Sequence, residues 1–276
     1  MLQNTFCHIP GIGPATEKRL WEAGVTSWDQ WQEPSPVRLP NSSKNEIISL
    51  LEHSGEALEN DPSFFTERLA SHEVWRIFPQ YRHQTAYIDI ETTGLAEDAD
   101  LTTIALYDGN KVKYYVNGKN LDDFLEDIWE YKVLVSYNGK AFDIPFLERY
   151  FKIRLEQAQI DLRYVLARLG FKGGLKGCEK MLGIDRGGLE GVDGYFAVLL
   201  WREYETYNDE AALETLLAYN IEDTVNLEQL MIEAYNRNIA QTPFARELKL
   251  PHALPPALPF QADQGCVERV KRRYAL

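Results

Sequence analysis

Apolar positions recur with two different periods along this chain. Up to about residue 60 they fit short helices. In IPGIGPATEKRLWEAGV (9–25), Pro14 opens a helix, Leu20 and Trp21 share a face, and Gly24 is placed to stop it. Pro34, Pro36, Pro40 and Asn41 make 33–43 a loop, and Asn45 to Leu58 reads as a helix. From about residue 85 the period shortens. TAYIDI (85–90), LTTIALYDG (101–109) and KVKYYVNG (111–118) read as strands, with Asp108-Gly109-Asn110 as a tight hairpin between the last two. LDDFLEDIWEY (121–131) is an amphipathic helix and KVLVSYNG (132–139) a fourth strand. Helical patterns prevail from there to about 237, including a long stretch from Asp209 through Tyr235.

A hairpin followed by helix, strand and helices predicts an α/β fold, a mixed sheet flanked by helices, with a small helical N-terminal module. The tail carries Pro243, Pro251, Pro255, Pro256 and Pro259, so it cannot be a continuous helix or a central strand. It is expected to lie extended on the surface or to be disordered. The expected divisions are a module over 1–60, a connector over 61–84, the sheet-bearing domain over 85–237 and the tail over 238–276.

Composition sets bounds on the class of protein. An apolar content of 45% over 276 residues supports a sizeable core. The sequence has no apolar run long enough to span a membrane and no leader pattern, so a cytoplasmic protein is expected, without membrane contact. Cys7, Cys178 and Cys266 show no metal-like spacing and are expected as reduced thiols. The net charge of −13 opposes generic nucleic-acid affinity. Locally the sign reverses. Residues 161–188 hold six bases against three acids, and Arg269, Lys271, Arg272 and Arg273 near the end oppose Glu268. Each stretch reads as a solvated face or as a contact for phosphates.

AYIDIETTGL (86–95) carries the candidate chemistry. Asp89 and Glu91 stand two apart on an otherwise apolar strand, so their carboxylates share a face. Two like charges there need a proton or a cation. SYNGKAFDIPFL supplies Asp143, and LLAYNIEDTVNLEQL supplies Tyr219 and Asp223, four apart on one helix face. Taken singly, these are an edge strand with ion pairs, a helix N-cap and an ordinary helix surface. Taken together, Asp89, Glu91, Asp143 and Asp223 form an oxygen-only site suited to two divalent cations, Mg²⁺ or Mn²⁺. Two such ions about 3.5–4 Å apart can clamp a phosphodiester in line. Tyr219, a weak base, can aim the attacking water.

In order, DIETTG, NGKAFD and YNIED resemble the three exonuclease motifs of the DEDD superfamily in its Tyr variant, which has a ribonuclease-H-like fold. The Asn-x-x-x-Phe-Asp form is similar to that of proofreading domains of family B DNA polymerases. GGLKGCEKMLGI (173–184), then Asp193-Gly194 and Trp201, resemble the YprB-like ribonuclease-H-like group more closely. The likeness covers roughly 85–237 and leaves no polymerase-sized region. It implies removal of 3′-terminal nucleotides from DNA or RNA. Asp89, Glu91, Asp143 and Asp223 would be the metal-binding acids and Tyr219 the water-positioning residue. It further implies that Asn138, Phe142 and Lys176 contact the substrate, a single-stranded 3′ end. The alternatives are a non-catalytic nucleic-acid-binding or adaptor protein, and a structure-specific endonuclease.

IPGIGPATEKRLWEAGV also resembles a helix-hairpin-helix motif, in which Gly11 and Gly13 would let backbone amides approach a phosphate. Against that, residues 1–60 hold four bases and eight acids, and one copy of the motif is present where pairs are usual. The module, or the tail, would then serve a protein partner.

Overall fold

The computed structural model describes residues 1–39, 44–96, 98–184 and 194–275. Four helices precede the sheet: α1 (Pro14–Glu22), α2 (Lys44–Ala57), α3 (Pro62–Thr66) and α4 (Phe78–Tyr81). Strands β1 (Thr85–Thr92), β2 (Leu101–Tyr107) and β3 (Val112–Val116) follow as an antiparallel meander. The expected amphipathic helix is a single turn, α5 (Phe124–Asp127), flanked by 3₁₀ turns. Next come β4 (Val133–Ser136), α6 (Asp143–Phe151), β5 (Ala158–Asp161), α7 (Leu162–Arg168), α8 (Gly174–Leu182), α9 (Gly194–Tyr207), α10 (Glu210–Ile239) and α11 (Gln264–Tyr274). None of these helices is long and apolar enough to cross a membrane.

The five strands form one mixed sheet in the order β3-β2-β1-β4-β5, with β4 parallel to both β1 and β5. β5 departs from the helical reading of this region. Its AQID core is only four residues long, too short to display a period, and its partner β4 lies more than twenty positions earlier.

The alternation of β1 sorts its side chains between two apolar layers. Ala86, Ile88 and Ile90 join Leu134, Phe124, Ile144 and Leu147 beneath α5 and α6. Tyr87, Ala105, Tyr107, Val133 and Val135 face the other layer with Leu216, Leu227, Met231 and Tyr235 of α10. At 30 residues α10 spans about 45 Å and lies across that face of the sheet.

Leu2, Phe6, Leu20 and Trp21 belong to the same buried cluster as α10. Trp21 meets Phe244 edge-on at 5.4 Å, and Trp75 meets Tyr235 at 5.6 Å. Glu17, one of the eight acids of the first 60 residues, is fully buried. Its carboxylate accepts from Thr5 Oγ1 (2.6 Å) and the Phe6 N–H (2.7 Å) and pairs with buried Arg76 (3.0 Å). The basic C-terminus is helix α11, and two of its arginines are committed within the fold. Arg269 pairs with Asp209, and Arg273 pairs with buried Glu203.

Candidate active site

Asp89 and Glu91 sit where β1 outruns its neighbour. The β1–β4 pairing ends at Tyr87↔Val135, while β1 continues beside β2 with Asp89 opposite Ala105 and Glu91 opposite Thr103. A bulge then separates Glu91 from Thr92. Both carboxylates leave the face covered by α10, at the C-terminal ends of the parallel strands, where open α/β sheets place their ligands.

The other expected residues arrive from two helices. Asp143 is the first residue of α6, and its Oδ1 accepts the Ile90 N–H at 3.3 Å, between the two β1 acids. Tyr219 and Asp223 are both buried on α10. The structure thus brings four carboxylates from three segments into one electrostatic neighbourhood.

Burial and mutual charge shift their carboxyls together. Loss of hydration raises the Asp89 carboxyl well above the usual range, and the charges of Asp143, Glu91 and Asp223 add to the rise. Glu91 is raised in the same way, by burial first and then by Asp223 and Asp143, with the Lys176 ammonium opposing. Asp143 is pushed up to about 7, chiefly by burial, although its own N–H and that of Ile90 stabilise the anion. Asp89 and Glu91 keep some accessible surface, Asp89 on the wall of a cleft, yet protein surrounds both closely enough to strip most of their water.

The cleft, about 640 Å³ in volume, is lined by Asp89, Tyr137, Asn138, Arg163, Phe171 and Lys172 among others. Its floor is the β4–α6 loop. Asn138 adopts a left-handed backbone (φ 65°), and its side-chain oxygen accepts from the Arg163 guanidinium. Phe142 turns away from the acids, 5.9 Å from Phe146 in the layer beneath the sheet. Lys176 on α8 places its ammonium 4.7 Å from the Tyr219 ring centre. Of the basic stretch 161–188, Arg163, Lys172 and Lys176 therefore meet the site, while residues 185–193, including Asp193, lie outside the described residues.

Gly11 and Gly13 form the turn ahead of α1. Gly11 has φ +83°, which favours glycine, and Gly13 is the N-cap before Pro14. Only a three-residue 3₁₀ turn, Leu2–Asn4, and bends precede them. Neither glycine lines the cleft that holds Asp89.

The donor set suits hard divalent cations, because four carboxylates short of water and mutually repelling gain by sharing a positive charge. Among the described residues, no three His, Cys, Asp or Glu side chains already close on a point as a finished metal site does.

The sequence profile of the RNase_H superfamily matches residues 86–235, which include every one of these acids. The chain belongs to the RNase_H superfamily. Among solved structures it is similar to that of the family B DNA polymerase from the hyperthermophilic archaeon Pyrobaculum calidifontis. The likeness has 17% identity and a TM-score of 0.43, over 59% of this chain and 26% of that one. No curated protein matches the chain.

Three residues around the acid cluster escaped the sequence reading. Asn220 donates to Asp89 Oδ2 at 2.7 Å and to the Asp89 carbonyl at 3.2 Å, while its own oxygen accepts from Thr103 Oγ1 at 3.0 Å. Its signal was a polar residue directly after Tyr219, following the apolar run Leu216-Leu217-Ala218. Asp161 ends β5 and accepts the backbone N–H groups of Asn138 (2.8 Å), Arg163 (3.0 Å) and Lys140 (3.3 Å), which pins the cleft floor. It could not be found without β5. Gly139 is required by space: a Cβ there would lie 2.1 Å from Ser136 Oγ and 3.6 Å from Asp143 Oδ2.

Proposed function

We propose that this chain is a metal-dependent 3′-5′ exonuclease acting on a single-stranded end of DNA or RNA. The observation that supports this reading is the convergence of Asp89, Glu91, Asp143 and Asp223, whose charges act on one another while burial raises the carboxyls of Asp89, Glu91 and Asp143. Such a cluster costs stability and is retained where it serves a ligand.

Two divalent cations, Mg²⁺ or Mn²⁺, would be held by those four acids and would supply Lewis acidity toward the phosphodiester. The chain's own residues do the rest. Asn220 fixes the rotamer of Asp89, and the Ile90 N–H fixes that of Asp143. Tyr219, with Lys176 over its ring, aims its hydroxyl at the attacking water. Arg163 and Lys172 along the cleft take substrate phosphates, and Asn138 is held ready by Arg163 to meet the terminal nucleotide. Gly11 and Gly13 are assigned to a second, remote contact with the nucleic-acid backbone.

The test is a 5′-labelled oligonucleotide with Mg²⁺ or Mn²⁺, as DNA and as RNA. A ladder shortening from the 3′ end supports the reading. Cutting that persists when the 3′ end is blocked identifies an endonuclease instead. Binding without cleavage identifies a non-catalytic binder.

A further inference from the structure

The proline-rich segment between α10 and α11 is fastened at both ends and, past His252 beside Glu233 and half-buried Ala253, exposes most of its middle. At one end the Asn236 side chain donates to the Leu250 carbonyl (3.0 Å) and accepts the Leu250 N–H (2.9 Å). At the other, Phe260 meets Tyr114 edge-on at 5.0 Å and the Asp263 N–H donates to Thr215 Oγ1 at 3.1 Å. Between these anchors runs LPHALPPALP, with Leu254 89% and Leu258 38% exposed. Its prolines fix their own φ and drive the preceding residues to extended backbone, so the strap is ordered at little further entropic cost. Pro256-Ala257-Leu258-Pro259 has the P-x-x-P spacing that aromatic-lined grooves accept. Nothing within the fold accounts for the exposure of Leu254, which is followed by two prolines on such a strap.

A groove of the matching kind lies on the N-terminal region. A cleft of about 780 Å³ is floored by Trp28, Trp31, Ile48 and Leu51 and rimmed by Asp29, Glu33 and Glu52. Trp28 is fixed there, since its Nε1 donates to the Thr5 carbonyl at 2.7 Å and its ring stacks on Phe65. Trp31 Nε1 donates to Glu33 at 3.0 Å. Among the described residues none of the three rim acids pairs with a base. The strap is preceded by exposed Arg246 and Lys249 against one acid, Glu247, so the two surfaces complement each other in charge as well as in shape class.

We propose that the proline-rich strap of one copy docks into the Trp28–Trp31 cleft of a second copy. Because the strap is anchored at both ends in its own chain, its occupancy of a cleft is between molecules and head-to-tail. About five residues of polyproline-type chain span only about 15 Å, so the contact is small and the association depends on concentration.

Sedimentation velocity on the full chain, from micromolar to several hundred micromolar, tests this. The weight-average mass should rise with concentration. Leu254→Asp on the strap and Glu52→Lys on the cleft rim, both at exposed positions outside the catalytic site, should each leave a folded monomer with unaltered melting temperature. An equimolar mixture of the two variants retains one intact strap and one intact cleft, and should recover a dimer and nothing larger. A synthetic peptide of residues 246–260 should shift the tryptophan emission of the wild type, with affinity at least tenfold weaker for Glu52→Lys. A wild-type monomer throughout the range overturns the proposal, as does association that survives both substitutions or a mixture that stays monomeric. Peptide binding to a chain that remains monomeric assigns the cleft to another protein and equally overturns docking by a second copy.

Discussion

Asn220 donates to the carboxylate of Asp89 at 2.7 Å while accepting from Thr103 Oγ1 at 3.0 Å, so one buried amide ties α10 to two adjacent strands at the acid cluster. Among the described residues it makes the only hydrogen bond to the Asp89 carboxylate. Asn220→Ala would free the Asp89 rotamer and leave Thr103 Oγ1 buried without its acceptor, a loss of about 1–3 kcal/mol. The expected result is a lower melting temperature and a cleavage rate reduced by roughly 10- to 100-fold. Asn220→Asp should be worse in metal-free buffer, because it adds a carboxyl to the cluster. Unchanged kinetics in Asn220→Ala would show that Asp89 is positioned by something else.

Tyr219→Phe removes the hydroxyl and keeps the ring that packs under the Lys176 ammonium. If the hydroxyl aims water, kcat should fall by roughly 10- to 1000-fold with little change in KM. A rate equal to wild type would make Tyr219 a packing residue.

Gly139→Ala places a Cβ against Ser136 Oγ and Cβ, at 2.1 and 2.6 Å. The loop that carries Asn138 and Asp143 must then move. A displacement of this size should reduce activity by about 100-fold. Ser136→Gly removes the obstructing atoms, so the double variant should recover most of the loss. Failure to recover would place the fault in the backbone and not in the contact.

The acid cluster also predicts how metal-free stability depends on pH. Burial raises Asp143 from 3.8 to about 7, so the folded chain keeps a proton that the unfolded chain has released. Its contribution to stability is present below pH 4 and is lost as pH rises to about 7. Two groups act in the opposite sense. Burial lowers His8 from 6.5 to about 3, and lowers the terminal amine of Met1 from 8.0 to about 6. Both cost stability as pH falls. The comparison with Asp143→Asn cancels them, since both proteins carry them. In EDTA the variant's melting temperature should gain on the wild type between pH 4.5 and pH 8. A constant gap would mean that Asp143 is already ionised at low pH.

Much of this was legible because the chemistry-bearing residues sit in elements with clear local patterns. β1 shows its acids at a two-residue interval inside an apolar run, and the Tyr219–Asp223 spacing lies within one long helix. What the sequence concealed depended on tertiary neighbours. β5 is four residues of Ala-Gln-Ile-Asp, recognisable only beside β4. The role of Asp161 follows from that strand. The charge sums misled where groups were buried: Glu17 is neutralised by Arg76 inside the fold, and Arg269 and Arg273 are spent on Asp209 and Glu203. The tail's prolines correctly excluded a continuous helix, but α11 begins after them, capped by Asp263, whose Oδ1 accepts the Cys266 N–H at 2.9 Å.

The central claim is that the four acids act as one cation-binding, phosphodiester-cleaving site. Its most direct test is to strip the protein of metal and titrate Mg²⁺ or Mn²⁺ while following melting temperature and oligonucleotide cleavage on the same samples. Ligands that bind only the native site raise its stability by mass action. The account predicts that both signals rise over one concentration range, and that Asp143→Asn loses most of the melting shift and nearly all cleavage. Full cleavage in excess EDTA, or a wild-type rate for Asp143→Asn, would contradict it.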